Sequence, residues 1–339
     1  MRIRVISDLH VDINQNFPFS FKGEEKDIFT LIAGDVSGNV KLTSKWVKQN
    51  IKHGMFVAGN HDPTYNDLGW TIQTQKEYLH KKFPETCDVT FLDEQVGVMS
   101  KEIPGNNILV IGSTLYTDYK YASDSVMEHI SLNNKWRKEG GESEMLTVED
   151  VNMVESVNMG YAIRGLNDFR WGHVPDEFDD RGLSQRPLRP MDLLKWFNVT
   201  FAKIKELVEL NENKDVIVLT HHCPSPMFIA SEYVNSNMNA SYVSELEVFI
   251  NEHRNIKAWC CGHVHNVNFF EIGDGKNKHL MVCNPRGYEN NFESDKWNPN
   301  TFIDTDSWKV VVEPYSNPKL EKKRKEAHDE FMKYASLFI

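Results

Sequence analysis

The octapeptide FVAGNHDP, residues 56–63, places an amide, an imidazole and a carboxylate directly after a short apolar run. Each of these three polar side chains is costly to bury without a partner. An ordinary turn needs no more than one of them. The apolar run itself predicts a buried strand, so the polar residues would stand just past its carboxyl end.

The same arrangement recurs along the chain. Apolar runs rich in β-formers predict nine strands, which are RIRVIS (2–7), IFTLIAG (28–34), HGMFVAG (53–59), VTFLD (89–93), NILVIGS (107–113), DVIVLT (215–220), IKAWCCG (256–262), HLMVCN (279–284) and WKVVVEP (308–314). Several of the segments between these runs are typical of helices. The alternation predicts an α/β fold.

Five of the predicted strands are followed at once by a polar cluster. The clusters are Asp8 with His10, Asp35 alone, Asn60 with His61 and Asp62, His221 with His222, and His263 with His265. Ligands gather at the carboxyl ends of strands in open α/β sheets, so we expect the five clusters to converge on one crevice. A glycine precedes three of the clusters, which lets the backbone turn sharply there.

Composition limits the classes of protein that the chain can be. Its 339 residues are 40% hydrophobic and 26% charged, which is enough for a real core, and we expect a single domain over 1–339. No apolar run is long enough to span a membrane, and the first cluster comes too early for a signal peptide, so we expect a cytoplasmic protein. The net charge of -11 disfavours a dedicated nucleic-acid binder. Five cysteines without a CxxC pair indicate neither a disulfide framework nor a cysteine-type zinc site.

Two regions differ in character from the rest. Residues 116–200 lack strand signals and are rich in Trp, Tyr, Arg, Asp and Met, which predicts a helical insertion beside the ends of the strands. Residues 316–339 carry apolar side chains near helical spacing. We interpret that second region as a C-terminal docking helix rather than as a basic arm for nucleic acid.

The side-chain types of the clusters indicate a metal centre. Carboxylates, imidazoles and a carboxamide without thiolates suit first-row divalent ions with mixed oxygen and nitrogen ligands. Two such ions need about eight protein contacts, which the clusters supply if one carboxylate bridges. The sequence therefore predicts a dinuclear site.

The fragments DLH, GD, GNHD, THH and GHVH, in that order, resemble the five motifs of the calcineurin-like metallophosphoesterase family. One such fragment alone is weak, whereas the ordered set, each member after a strand, is specific. The resemblance covers roughly 1–115 and 215–290. It implies a four-layer αββα sandwich of two mostly mixed sheets flanked by helices. Residues 116–200, which the resemblance does not cover, would form a cap-like insertion in that domain.

The resemblance also implies a role for each motif residue. Seven side chains would bind two divalent ions: Asp8, His10 and His265 the first, Asn60, His221 and His263 the second, and Asp35 both. His221 is preferred to His222 because the family's ligand stands at the strand end. The metal would be manganese, with iron, zinc, nickel or cobalt as alternatives.

His61 and Asp62 are the predicted catalytic residues. By the same resemblance, His61 faces the substrate and gives a proton to the leaving group, while Asp62 orients His61. A role for Asp62 as a helix N-cap or turn residue before Pro63 stays open. The implied reaction is direct attack by a hydroxide that bridges the two ions, without a covalent phosphoenzyme.

Residues that contact the substrate must come from elsewhere in the chain. The candidates are His222, Arg286 and Tyr288, and in the insertion Tyr116, Asp118, Arg164, Arg170 and Trp171. An arginine could hold a phosphate and an aromatic ring could stack on a base. For each of them, pairing with an acid, packing at the edge of the core or, for His222, satisfying a backbone group is the alternative.

The motifs GDVSGN and GNHD lack the phosphate-binding arginine of the GDxVDRG motif found in phosphoprotein phosphatases. The stretches THHCPSP and CGHVH are more similar to the branch that contains class III cyclic-nucleotide phosphodiesterases and small bacterial or phage phosphoesterases. We therefore expect a phosphoesterase that acts on a small phosphodiester or nucleotide-type ester, with no nucleic-acid or membrane partner. A phosphoprotein phosphatase, a nuclease and an inactive scaffold of the same fold are the alternatives.

Overall fold

The computed structural model describes residues 1–14, 19–64, 70–83, 88–93, 97–139, 148–179, 184–275, 277–289, 293, 296–316, 322 and 325–326. The docking helix predicted over 316–339 lies almost wholly outside these residues. No helix in the described part of the chain is long and apolar enough to cross a membrane.

The described residues form fourteen strands and seven α-helices. The strands are β1 Arg2–Ile6, β2 Thr30–Ala33, β3 His53–Val57, β4 Asp88–Phe91, β5 Met99–Glu102, β6 Ile108–Ser113, β7 His173–Pro175, β8 Gln185–Pro187, β9 Asp215–Thr220, β10 Ile256–Cys261, β11 Asn268–Asp274, β12 Asn277–Cys283, β13 Thr301–Asp304 and β14 Lys309–Val312. The helices are α1 Val40–Asn50, α2 Ile72–Lys82, α3 Asp124–Glu139, α4 Val148–Gly165, α5 Asp168–Trp171, α6 Pro190–Glu209 and α7 Glu247–Glu252.

Two mixed sheets of six strands each carry the fold. The first has the order β14-β13-β1-β2-β3-β4 and the second β11-β12-β10-β9-β6-β5. In the first sheet β1 to β4 run parallel, and in the second β12, β10, β9 and β6 do so. The antiparallel pairings are those of β13 and β14 in the first sheet and of β5 and β11 in the second. Each parallel set presents its carboxyl ends along one edge of its sheet.

The two sheets pack face to face and helices cover both outer surfaces. Val5, Leu31 and Val57 of the first sheet belong to one buried cluster with Ile217 and Val282 of the second. The next residue along each strand points outward and is also buried, as Ile32 and Phe56 are under α1 and α2. Strands covered on both faces become continuously apolar, which is the pattern of the nine runs. The predicted four-layer αββα sandwich is confirmed.

All nine predicted strands are present, and five others were not predicted. The unpredicted strands are β5, β7, β8, β11 and β13. Four of them, β5, β7, β8 and β11, are short or lie at a sheet edge and have few buried residues: β5, for example, has no fully buried residue. β13 is buried at three of its four positions, but only two of these, Phe302 and Ile303, are apolar. Such strands lack the long apolar run on which the sequence prediction depended.

The chain between β6 and β9 holds α3 to α6 and a small antiparallel hairpin, β7–β8. The hairpin differs from the purely helical insertion expected there, and α6 continues past residue 200. A separate apolar cluster joins this region to α2, with Tyr116, Leu188, Trp196 and Ile72 among its members. The boundaries 116–200, the cap-like role and the single domain over 1–339 remain predictions.

Candidate metal centre

The loops that follow the parallel strands are joined by backbone hydrogen bonds. Asp8 N–H donates to Gly34 O at 3.0 Å and His10 N–H to Asp35 O at 3.2 Å, which ties the loop after β1 to the loop after β2. Gly262 N–H donates to His221 O at 2.9 Å, which ties the loops of the second sheet in the same way. The predicted clusters therefore meet at one edge of the sandwich.

Five of the predicted metal ligands have a left-handed backbone. Their φ angles are 50° at Asp8, 42° at His10, 54° at Asp35, 69° at His263 and 49° at His265. This conformation is uncommon for residues other than glycine and persists only where the surroundings hold it. The sharp turns place these side chains in the crevice.

The glycines before three of the clusters have different functions. Gly34 has a φ of +86° and makes the turn that the sequence predicted. Gly59 and Gly262 instead leave space: a Cβ atom would lie 1.9 Å from Asp35 Oδ1 at the first and 2.6 Å from Asp8 Oδ2 at the second. Both backbones approach a carboxylate too closely for any side chain.

Asp8 is the centre of one group of side chains. Its carboxylate accepts a hydrogen bond from His263 N–H at 3.0 Å and lies 3.4 Å from His265 Nε2. His10 Nε2 is 3.1 Å from the same His265 nitrogen. The other ring nitrogen of His265, Nδ1, lies 2.6 Å from Glu293 Oε2. A carboxylate in that position fixes the ring and its tautomer, as carboxylates do behind metal-binding histidines.

Asp35 is the centre of a second group. Its Oδ1 accepts a hydrogen bond from His61 N–H at 2.8 Å, and its Oδ2 lies 3.3 Å from His221 Nε2. Asn60 Oδ1 is 3.0 Å from the same His221 nitrogen. His221 Nδ1 donates to Ala33 O at 2.8 Å, so Nε2 is the nitrogen that faces the carboxylate and the amide.

The buried carboxylates control the protonation of the histidines beside them. Burial opposes the charged form, but hydrogen bonds and charges from Asp8 and Glu293 raise the pKa of His265 to about 10. Asp35 and Asp8 likewise raise the pKa of His221 to about 9 against the effect of burial. Burial lowers the pKa of His10 to about 3, so this ring is neutral. In this metal-free state, the protonated rings of His221 and His265 supply the positive charge that balances the buried carboxylates beside them.

The arrangement fits divalent cations. Three groups at the centre have donor atoms within 4.8 Å of one another: Asp8–His10–His265, Asp35–His221–His263 and His10–Asp35–His61. A fourth group that meets the same distance, Cys223–Cys261–Cys283, was not expected from the sequence and is buried in a hydrophobic core cluster. Neighbouring ligands on an ion with bonds of about 2.1 Å lie about 3 Å apart. The 3.0–3.4 Å separations around His221 and His265 are of that size. His263 Nε2 is buried with no hydrogen-bond partner, as a nitrogen suited to a cation would be.

His61 and Asp62 occupy different surroundings. The His61 side chain is 19% exposed, with Nε2 3.9 Å from Asp35 Oδ2. Asp62 is fully buried, and its carboxylate accepts hydrogen bonds from the backbone N–H groups of Asp35 (2.7 Å), Gly59 (2.9 Å) and Ser37 (3.3 Å). The Thr43 hydroxyl also donates to it, at 2.8 Å.

None of the four hydrogen bonds that the Asp62 carboxylate accepts comes from His61, and the role of Asp62 in orienting His61 remains a prediction. The carboxylate of Asp62 holds together the loops that carry Asp35 and Asn60, which is closer to the turn role left open from the sequence. Burial and the neighbouring charge of Asp35 raise the pKa of Asp62, and its hydrogen bonds oppose that rise.

A cavity of about 860 Å³ opens above the centre. Its floor includes Asp35, Asn60, His61, His263 and His265, and its walls come from Gly165–Asp168, from Ile229–Asn239 and from Tyr242, Tyr288, Glu293 and Lys296 among others. The wall from the loop after β9 was not predicted. Of the substrate candidates named from the sequence, Tyr288 lines this cavity.

The other substrate candidates lie elsewhere. His222 is buried with its ring centre 4.2 Å from that of His263 and Nδ1 3.3 Å from Thr114 O, so it meets a backbone group. Tyr116 is buried against Trp196 and His222. Arg286 is buried in an ion pair with Glu289, as the acid-pairing alternative describes.

The remaining candidates belong to the insertion. Arg164 and Arg170 are exposed, the first over the Tyr161 ring and the second 3.5 Å from Asn167 Oδ1. Trp171 is 60% exposed, and Asp118 accepts a hydrogen bond from the Lys120 backbone N–H. None of these four side chains is part of the described cavity lining.

Two residues of the site were missed by sequence reasoning. Glu293 contacts His265, and Asp168 accepts a hydrogen bond from Asn60 Nδ2 at 2.9 Å. Neither follows a strand, and neither stands at a recognisable spacing from its partner. The only signal for Asp168 was its place among the aromatic and charged residues that crowd the insertion.

The sequence model of the calcineurin-like phosphoesterase family matches residues 1–267 of the chain. No curated protein sequence matches this chain.

Among solved structures, the phosphopantetheinyl hydrolase PptH from Mycobacterium tuberculosis is similar, with a TM-score of 0.59 and 14% sequence identity. The alignment covers 93% of this chain and 98% of that one. At this identity the likeness concerns the fold.

Proposed function

The chain belongs to the calcineurin-like phosphoesterase family and is a metal-dependent phosphoric ester hydrolase, and we propose that its substrate is a small phosphodiester or nucleotide-type ester. We further propose that two divalent ions, manganese before other first-row metals, bind to the seven motif residues. The observation that carries the proposal is the convergence of these residues beneath one cavity, whose lining includes four of them, Asp35, Asn60, His263 and His265.

The shape of the cavity supports a small substrate. Its volume of about 860 Å³ lies within the range of small-molecule sites, about 300–1,000 Å³. It is walled by the insertion on one side and by the loop after β9 on the other.

The charges of the cavity argue against a nucleic acid. Outside the histidines, Lys296 is the basic side chain in the described lining, whereas Asp168, Glu232 and Glu293 are acidic. Nucleic-acid binding depends on several lysines and arginines along the phosphate backbone. An ester with an uncharged alcohol as leaving group suits a lining that also includes Leu166, Ile229 and Met238.

Each part of the centre has a defined task in this proposal. Bound divalent ions supply a deprotonated water at neutral pH and neutralise charge on the phosphoryl oxygens. Asp35 lies between the two groups of ligands and is the residue placed to join them. His61 lies at the floor of the cavity with its ring partly exposed, where it can give a proton to the departing alcohol.

A substrate panel tests the proposal. Purified protein reconstituted with Mn²⁺ would be assayed on bis-p-nitrophenyl phosphate, p-nitrophenyl phosphate, a cyclic nucleotide, a phosphopantetheinyl ester and a phosphopeptide. The phosphopantetheinyl ester is included because the structural neighbour is a phosphopantetheinyl hydrolase. We expect kcat/KM for small diesters well above that for the monoester and the phosphopeptide.

The matched control is Asp35→Asn, which should lose bound metal, measured by elemental analysis, and nearly all turnover. Faster hydrolysis of the phosphopeptide than of any diester would contradict the proposed substrate. Full metal content and full activity in Asp35→Asn would contradict the proposed centre.

A further inference from the structure

The insertion contributes a side chain to the metal centre. Asp168, the first residue of α5, accepts a hydrogen bond from Asn60 Nδ2 at 2.9 Å across 108 residues of sequence. The Asp168 residue is only 5% exposed and also lines the cavity. A carboxylate this deeply buried is costly unless a partner stabilises it, and in the described structure the Asn60 amide is its side-chain partner.

This contact determines which atom of Asn60 faces the ligands. A carboxylate only accepts hydrogen bonds, so the amide must turn its Nδ2 toward Asp168. Oδ1 then points the other way, where it lies 3.0 Å from His221 Nε2. An amide binds a divalent cation through its oxygen, so this is the orientation that the second metal position requires.

Asp168 is itself held in place by the insertion. Gly172 N–H donates to Asp168 O at 2.8 Å, and Leu188 N–H donates to Gly172 O at 2.9 Å, which ties α5 to the β7–β8 hairpin. Phe169 and Leu188 pack into the apolar cluster that joins the insertion to α2. The carboxylate therefore sits on a supported element rather than on a free loop.

We propose that Asp168 is a positioning residue for Asn60, so that the insertion completes the second metal position. The inference rests on the proposed function to the extent that Asn60 is a metal ligand. It adds a role for the insertion that is separate from shaping the cavity for substrate.

Three variants test this role through metal binding, independently of any substrate. Asp168→Ala removes the acceptor, whereas Asp168→Asn keeps the shape and one acceptor but no longer enforces the amide orientation. Mn²⁺ would be titrated into each metal-free protein by calorimetry. We expect one of the two dissociation constants to rise about 10- to 100-fold in Asp168→Ala, the usual effect of losing such support, and less in Asp168→Asn. Asp192→Ala is the matched control, because Asp192 also lies in the insertion but pairs with Arg186.

A double-mutant cycle with Asn60→Ala separates positioning from general damage to the fold. In the Asn60→Ala background, Asp168→Ala should have no further effect on Mn²⁺ binding. A rise below about twofold in Asp168→Ala, an equal rise in Asp192→Ala, or an undiminished effect of Asp168→Ala in the Asn60→Ala background would overturn the inference. So would a wild-type protein that binds fewer than two Mn²⁺ ions.

The substrate proposal can fail separately. If the wild-type protein binds two Mn²⁺ ions and the cycle shows coupling, but no small diester is hydrolysed, the role of Asp168 stands and the substrate does not.

Discussion

Replacing Asp62 by asparagine should destabilise the protein rather than disable His61. The Asp62 carboxylate accepts four hydrogen bonds, three from the backbone N–H groups of Asp35, Ser37 and Gly59 and one from the Thr43 hydroxyl. Asparagine keeps one oxygen and turns an NH₂ group toward the remaining donors. About two of the bonds are then lost, and hydrogen bonds to a charged group contribute about 1.5–3 kcal/mol each.

The expected loss is thus at most about 3–6 kcal/mol in the free energy of unfolding, because the neutral amide also avoids the burial penalty and the repulsion from Asp35 that raise the pKa of Asp62. The entropy of unfolding is about 2.1 cal/mol/K per residue, or about 0.7 kcal/mol/K for 339 residues. The melting temperature of the metal-free protein should therefore fall by up to about 4–8 °C. Calorimetry in a chelator measures this fall without a contribution from bound metal.

Thr43→Val is the matched control for Asp62→Asn, because it removes one of the four donors to Asp62 and should cost about 1.5–3 kcal/mol at most. The same hydroxyl also lies 3.3 Å from Ser37 O. The reasoning is refuted if Asp62→Asn melts within 1–2 °C (roughly 1 kcal/mol) of the wild type. It is also refuted if Asp62→Asn slows only esters with poor leaving groups, because that result would support the role of Asp62 in orienting His61.

His61→Ala should keep its metal, measured by elemental analysis, while kcat falls by roughly 10²- to 10⁴-fold for an alkyl ester and much less for a p-nitrophenyl ester, whose leaving group hardly needs a proton. Loss of metal, or equal slowing of both esters, would make His61 a ligand or a phosphate clamp instead. Glu293→Gln should weaken Mn²⁺ binding by about 10- to 100-fold in a calorimetric titration, because His265 loses its 2.6 Å carboxylate partner; unchanged affinity would show that the contact is dispensable. The pKa values of His221 and His265 in the metal-free protein are raised to about 9 and about 10, so both rings are in the positively charged imidazolium form at pH 7.5. Each ring must lose its second proton before it can bind Mn²⁺. Mn²⁺ affinity should rise with pH up to about 9 with release of at least one proton, detected by calorimetry in buffers of different ionisation enthalpy, and pH-independent affinity would contradict this.

The strands and the residues that follow them were readable from local sequence. A strand buried on both faces must be apolar at nearly every position, so runs such as HGMFVAG and DVIVLT stand out. The polar residues after these runs stand out equally, because nothing in a turn explains three of them together. β5 and the β7–β8 hairpin were missed because edge and short strands carry no such run.

The contacts of Asp62 show that a sequence motif does not predict which groups a side chain meets in the fold. Its neighbour in sequence is His61, but its partners in space are the backbones of Asp35, Ser37 and Gly59. Which of these a carboxylate contacts depends on how the loops after β2 and β3 approach each other. That approach is visible only in the folded chain.

By itself, the sequence determined the α/β class, the positions of the nine principal strands along the chain and the polar residues that follow five of them. These features depend on residues that are neighbours in sequence, because a buried strand needs a continuous apolar run and a polar cluster directly follows its end. Only the tertiary structure decided which groups hold those residues in place. Glu293 reaches His265 across 28 residues and Asp168 reaches Asn60 across 108, and neither pair has a spacing that any periodicity repeats. Such contacts arise from the packing of the insertion and the loops onto the sheet edge, where a carboxylate is stabilised by the partner it meets in space.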